Sequence, residues 1–316
     1  MASRTLCLTP GDPTGIGPEV TVKFLTCHLR KYPNYHFHVI GALGALEKAV
    51  KILGCTLPVD QVTYTDVSGQ TPGEIAYHAL EKAVALIAAG DADAMVTGPI
   101  SKSNLKEAGI LASGHTEILE LLARKHYPTL KPKAEMLFVY RNFRLMLLTR
   151  HIPLSQVSKA LTQLACQQSL SVLINFLREY LGIVKPRIAV LGVNPHAGEV
   201  GGKEEADVLL PVIQAIHAEG PFAADGFFRG FDAENPGYDA VVAAYHDQGL
   251  IPFKLIAGHR AVNVTIGLPF LRTSVGHGTA FDIAGQGIAD ETGLISAIEI
   301  AVALISPYLV EIRAPE

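Results

Sequence analysis

The sequence predicts an α/β protein built on a largely parallel sheet covered by helices on both faces. Three observations predict it. Short β-branched or aliphatic runs alternate with longer segments of helical character, and the short runs stop at Gly, Pro, Asn or His. A chain of 316 residues, 49% hydrophobic and 18% charged, can fill one large core or two modest lobes and is far too apolar for a disordered protein.

In chain order, residues 5–8 read as the first strand and 18–29 as a helix whose opening Pro18 suits a first turn. A strand over 37–40, helices over 43–53 and 74–89 and a strand over 94–97 follow. Residues 116–126 read as helix, 136–140 and 145–149 as strands, and 155–180 as one long helix with Leu161, Leu164, Leu173 and Leu177 on a buried face. Residues 187–193 read as strand, 204–218 as helix, 240–244 and 261–265 as strands, and 294–309 as the last helix. Residues 54–72 and 220–237 read as loops and short elements. No linker or fixed-period repeat marks a domain split.

A net charge of −4 supplies no basic field, so a small-molecule ligand is expected and nucleic acid is not. The opening residues lack the basic and apolar regions of a signal peptide, so none is expected, and the apolar stretches 84–89 and 300–305 are too short to span a bilayer. A cytoplasmic protein is expected. Cys7, Cys27, Cys55 and Cys166 have no paired spacing and read as thiols in a reducing compartment.

His151, His196 and His246 each follow an apolar run and precede a turn, in Leu-Leu-Thr-Arg-His-Ile-Pro, Leu-Gly-Val-Asn-Pro-His-Ala-Gly and Val-Val-Ala-Ala-Tyr-His-Asp-Gln-Gly. Such positions lie at the sheet edge where open α/β folds place ligands, and three neutral imidazoles can hold a zinc, cobalt or similar divalent ion. Ordinary turn histidines remain the competing reading. Separations of 45 and 50 positions mean that a shared ion needs three sheet edges, or two subunits, to converge.

Four further segments carry polar groups on an apolar background. Residues 9–19, with three glycines and three prolines, make a rigid turn after the first strand. Gly114-His115-Thr116-Glu117 opens a helix whose amino end attracts phosphate or carboxylate, or else is simply capped. Asp247, Gln248, Lys254, Asn263 and Arg272 follow His246, and Arg272 suits bidentate grip of an anion. Residues 276–287 are glycine-rich, yet no Gly-x-Gly-x-x-Gly follows a strand, so any dinucleotide is bound without the Rossmann turn.

Together, Gly-His-Thr-Glu, Asn-Pro-His-Ala-Gly-Glu, Tyr-His-Asp-Gln-Gly-Leu and Gly-Leu-Pro-Phe-Leu-Arg-Thr-Ser resemble the 4-hydroxythreonine-4-phosphate dehydrogenase family of vitamin B6 biosynthesis, in that family's order. The resemblance implies an isocitrate/isopropylmalate dehydrogenase-like fold: one family domain over 1–316, with two α/β lobes, 1–130 with 270–316 and 131–269, flanking a central active-site cleft. It implies metal ligation by His151, His196 and His246, with one ligand from the partner of a homodimer, and one Zn, Co or Mg ion per site. It further implies substrate contacts at His115, Thr116, Lys254, Asn263 and Arg272, and approach of NAD or NADP to Gly267, Leu268, Pro269, His277 and Asp282. Lys254, Asp247 or a metal-bound water would take the hydroxyl proton.

Two departures stand out. Gly276 precedes His277 where the family usually has aspartate, and the stretch 198–205 is about two residues shorter than usual. The competing readings are a paralogue acting on phosphorylated four-carbon sugar acids or a dihydrodiol carboxylate, a phosphate acyltransferase, and a catalytically silent binding protein.

Overall fold

The structure, a computed structural model, describes residues 4–112 and 114–306. It divides into two compact units, residues 4–134 with 262–306 and Glu135–Ala261. The first unit begins with β1 (Arg4–Thr9), α1 (Gly17–Cys27), β2 (Tyr35–Gly41), α2 (Leu43–Leu53), β3 (Val62–Asp66), α3 (Pro72–Ala89), β4 (Ala94–Thr97), α4 (Lys102–Glu107) and α5 (His115–His126). The second unit holds β5 (Glu135–Tyr140), β6 (Phe143–Leu147), α6 (Leu154–Ala160), α7 (Gln163–Leu181), β7 (Ile188–Leu191), α8 (Leu210–Ile216), β8 (Glu219–Phe222), α9 (Ala224–Phe228), β9 (Ala240–Ala243) and α10 (His246–Ala257). The chain then returns to the first unit as β10 (Val262–Ile266), β11 (Leu271–Val275) and α11 (Thr292–Ile305).

In the first unit the strands run β3-β2-β1-β4-β11-β10, parallel except for the β10/β11 hairpin. Growth from β1 toward β3 on one side and β4 on the other puts a topological switch between the ends of β1 and β4, where open α/β sheets bind ligands. The two following loops touch backbone to backbone there. A Cβ on Gly11 (φ +85°) would lie 2.1 Å from the Pro99 carbonyl oxygen, and one on Gly98 would lie 2.2 Å from that of Pro10. Beneath this edge Cys7, Ile40, Leu80, Leu119 and Leu122 belong to one apolar cluster.

In the second unit the order is β5-β6-β9-β7-β8, with only β5/β6 antiparallel. Its core gathers Phe143, Leu145, Val241, Leu250 and Phe253. The Phe143 ring lies 5.0 Å from Phe253 and 4.5 Å from Phe231, tilted as aromatic quadrupoles prefer.

The sheets are therefore mixed rather than purely parallel. β11 falls where no strand is expected from the sequence, because its Arg272, Thr273 and Ser274 are polar residues, buried in the structure, that interrupt the aliphatic pattern of a strand. The helix expected over 155–180 is two: Leu161 turns extended (ψ 101°) and the Thr162 hydroxyl accepts the Ala165 N–H at 3.2 Å, capping α7. The segment 204–218 starts as a π-helical turn, Glu204–Leu209, before α8. Of the helix expected over 294–309, residues 307–309 lie outside the described residues.

Candidate active site

In the first unit, polar groups converge where β4 and β11 end. Arg272 pairs in register with Met95 of β4 and opposes Thr265 of β10. Its guanidinium, 1% exposed, donates from Nε and Nη2 to the Thr97 hydroxyl at 3.0 and 2.6 Å, and from Nη1 to that of Thr265 at 2.8 Å. Guanidinium has five N–H donors, so three in use leave two. Among the described residues no carboxylate lies within ion-pair distance of it. Burial alone pushes its pKa down to about 9. A guanidinium dried but not neutralised could seat an anion, since an incoming phosphate would take the spare donors and offset the desolvation cost.

The groups around it share this unfinished state. Asn263 stands opposite Ser274 at the same strand ends, and its Oδ1 is buried without a hydrogen-bond partner. His115, first residue of α5, has a buried, unpartnered Nε2. Desolvation, and secondarily the positive Arg272, hold its pKa well below 6.5, so it is neutral until an anion arrives. Thr116 is buried beside it in the first helical turn.

In the second unit, β6, β9 and β7 are adjacent parallel strands, and their carboxyl ends lead to His151, His246 and His196. The rings of His151 and His246 lie 5.6 Å apart. Two imidazoles on one tetrahedral ion have centroids about 5 Å apart, so this pair fits a shared divalent ion. The Asp247 carboxylate meets His246 Nδ1 at 2.7 Å, which orients the ring and leaves Nε2 as the nitrogen that could meet a ligand. A cavity of about 430 Å³ lies between Arg150, His151, Val157, Tyr245 and His246. His196 sits in a separate turn in left-handed backbone (φ 55°, ψ 30°), as does Ala197, at about 1–3 kcal/mol of strain each. Among the described residues of one chain, no three His, Cys, Asp or Glu side chains gather closely enough to hold a metal.

A cavity in the first unit, about 420 Å³, is lined by Thr14, Gly15, Glu19, Lys48, Thr71 and Gly285, among others. Glu19, 3% exposed, accepts the backbone N–H groups of Ala289 (2.7 Å) and Gly287 (3.1 Å) and so pins the far end of the glycine-rich loop. The near side is tied by the Ile16 N–H donating to the Thr279 carbonyl at 2.9 Å.

The structure thus brings together His115, Arg272 and Thr97, and separately His151, His246 and Asp247. Lys254 is exposed on α10 eight residues beyond His246, about 12 Å along the helix axis, and is not beside it. His277 Nδ1 meets the Gly278 carbonyl at 2.9 Å while its Nε2 is buried without a partner; Asp282 is exposed in the same loop. Gly267, Leu268 and Pro269 form the β10/β11 hairpin turn, at the sheet edge where β4 begins, and Leu268 packs in the core. They do not line the 420 Å³ cavity, which lies at the opposite edge of the sheet. Sequence reading missed Glu19, Lys48, Thr71 and Thr97. Thr71 heads a capping box with Glu74, a local signal that marks a helix start but not a pocket.

Fold and site define an α/β protein with a buried, unneutralised arginine that could seat a small anion and a pair of imidazoles whose spacing fits a divalent ion. The family model described as "Pyridoxal phosphate biosynthetic protein PdxA" matches residues 20–301. A 4-hydroxythreonine-4-phosphate dehydrogenase of Sulfurihydrogenibium sp. is 36% identical over 329 aligned residues, covering 95% of this chain and 98% of the relative. The crystal structure of the Klebsiella pneumoniae 4-hydroxythreonine-4-phosphate dehydrogenase superposes with a TM-score of 0.81 at 33% identity, covering 96% of this chain and 98% of that one. A terephthalate 1,2-cis-dihydrodiol dehydrogenase from Burkholderia xenovorans gives 0.63 at 27% identity, covering 95% and 98%. The chain belongs to the PdxA family.

Proposed function

We propose that this protein oxidises 4-phosphohydroxy-L-threonine, with NAD or NADP, to 2-amino-3-oxo-4-phosphooxybutanoate, which loses carbon dioxide to give 3-amino-2-oxopropyl phosphate in vitamin B6 biosynthesis. The observation that carries this reading, in a chain of the PdxA family, is the unneutralised buried Arg272 next to the neutral His115. It is a seat for the phosphate that the substrate bears.

Arg272 and His115 bind the phosphate, with the α5 amino end and Thr116 adding donors. Asn263 Oδ1 and His277 Nε2, buried and unpartnered, are available to substrate or nicotinamide polar groups. His151, His246 and His196 hold the divalent ion. When bound, that ion supplies Lewis-acid stabilisation of the oxygen that loses its proton and of the enolate left by decarboxylation, and the nicotinamide accepts the hydride. Asp247 keeps His246 in the tautomer that presents Nε2. The carbinol proton leaves to Lys254 or to water. The dinucleotide occupies the 420 Å³ cavity between the 11–17 turn and the 276–287 loop, in the manner of isocitrate and isopropylmalate dehydrogenases, which lack the Rossmann turn.

A homodimer completes the site. Three observations support it: the three histidines do not gather within one chain, Lys254 is displaced along α10, and apolar Ile152, Leu154, Ile251 and Leu255 are exposed beside His151 and on α10. A cytoplasmic location suits four cysteines with no paired spacing along the chain, and among the described residues no helix is long and apolar enough to cross a membrane.

The test is turnover of 4-phosphohydroxythreonine with NAD or NADP, with and without divalent ion. Metal-dependent reduction that is lost in His196→Ala is expected. Full turnover after chelation, or unchanged turnover in His196→Ala, refutes the metal role.

A further inference from the structure

Two side chains that contact neither cavity described above knit the histidine-bearing strand ends together. Gln248, in the first turn of α10, accepts the Ala244 N–H on Oε1 at 2.7 Å and donates from Nε2 to the Gly192 carbonyl at 2.5 Å. Its amide has one orientation only, since a backbone N–H cannot accept and a carbonyl cannot donate. The Ala244 carbonyl in turn accepts the Thr149 hydroxyl at 2.7 Å and the Thr149 N–H at 3.1 Å. One glutamine therefore fixes the end of β7, which leads to His196, against the end of β9, which leads to His246. Through Ala244 the link continues to the end of β6 and His151.

Glu205 does the same for the His196 turn. It is 4% exposed, and its Oε1 accepts the N–H groups of Val193 and Asn194, both at 2.7 Å, while Oε2 accepts Asn194 Nδ2 at 2.9 Å. Among the described residues no cation lies within ion-pair distance of it, so the carboxylate is satisfied by this turn. The turn is shaped to admit it: a Cβ on Gly198 would lie 3.0 Å from Glu205 Oε2, and one on Gly192 would lie 3.3 Å from Oε1. Left-handed backbone at His196 and Ala197 persists only where surroundings over-determine it, and Glu205 provides that constraint.

We infer that Gln248 and Glu205 are positioning residues for the metal ligands: Gln248 fixes the strand ends from which His246 and His196 are each presented, and Glu205 holds the strained turn that presents His196. The inference rests on the metal-binding reading of the three histidines. Outer groups that orient ligands of this kind are worth about 10–100-fold in metal affinity.

The experiment titrates the full-length metal-free protein with Co2+, reading the visible absorption band, and records the thermal midpoint of each metal-free variant. Glu205→Gln turns an NH2 toward Asn194 Nδ2, and Gln248→Glu turns an oxygen toward the Gly192 carbonyl; both keep size and shape. Each is expected to weaken Co2+ binding by about 10–100-fold and to change the band shape, with the midpoint within a few degrees of wild type. Two results overturn the proposal: Co2+ affinity within twofold of wild type in both variants while His196→Ala and His246→Ala lose binding, or a loss fully matched by a collapsed midpoint. If either variant fails to fold, the other carries the same comparison, and Gln248→Leu, which drops both hydrogen bonds without adding charge, replaces the lost one. Wild-type Co2+ binding by His196→Ala would instead refute the underlying metal reading.

Discussion

Replacing Arg272 with methionine separates two roles that a buried cation can have. If Arg272 were a structural group, its loss would cost the fold the hydrogen bonds to Thr97 and Thr265, about 1–3 kcal/mol for each hydroxyl left unpaired. Against that stands the desolvation of an unneutralised guanidinium, several kcal/mol, which methionine of similar length removes. The two nearly cancel, so the ligand-free variant should melt within about 1 kcal/mol of wild type. Anion binding has no such compensation. A charge-assisted hydrogen bond is worth about 1.5–3 kcal/mol, so phosphate affinity should fall about 10- to 150-fold. The assay is thermal unfolding across an inorganic phosphate titration, with the Michaelis constant of the phosphorylated substrate as a second readout. Phosphate stabilisation retained within twofold in Arg272→Met would refute the anion seat, as would a ligand-free variant that fails to fold.

His115 sets a pH dependence. Its folded pKa lies below the ordinary 6.5, so the unfolded chain binds the proton first; the stability is present above about pH 6.5 and is lost as pH falls below it. Denaturant titrations from about pH 8 to pH 5 should show this decline, reduced by saturating phosphate and partly flattened in His115→Gln, with His38, shifted the same way chiefly by burial, supplying part of the remainder. Equal slopes in wild type and His115→Gln would contradict it. Glu19→Gln places an NH2 against one of the N–H groups of Gly287 or Ala289, at about 1 kcal/mol, so the Michaelis constant for NAD or NADP should rise about fivefold with that for substrate unchanged. A change in the substrate constant alone would count against the placement of the cofactor.

Much of this architecture was legible because apolar runs and their stop signals are local. His151, His196 and His246 could be recognised as strand-end residues from the runs before them, and the structure puts those runs on neighbouring parallel strands. What escaped depends on distant partners. Arg272, Thr273 and Ser274 carry no aliphatic strand pattern, and only β4 and β10 on either side make them a buried strand. Thr162 breaks a helix whose apolar period runs on across the break, because one side-chain cap outweighs a pattern. Glu19 and Glu205 carry no sequence signal of burial, yet each is buried by backbone donors from elsewhere: Glu19 by a loop about 270 residues away, Glu205 by a turn about a dozen residues before it. Gly267 to Pro269 illustrate the reverse: a distinctive motif whose place in the fold is a hairpin turn at the edge away from the cavity.

The most direct measurement of the central claim compares kcat/KM for 4-phosphohydroxy-L-threonine, 4-phosphothreonate and 4-phosphoerythronate under identical metal and cofactor conditions, with carbon dioxide release followed alongside nicotinamide reduction. The account predicts that the amino-bearing substrate is preferred by at least about tenfold, a difference of about 1.4 kcal/mol in transition-state binding, and that one carbon dioxide appears per reduced nicotinamide. Equal or higher kcat/KM for either sugar acid, or reduction of nicotinamide by none of the three, would contradict it.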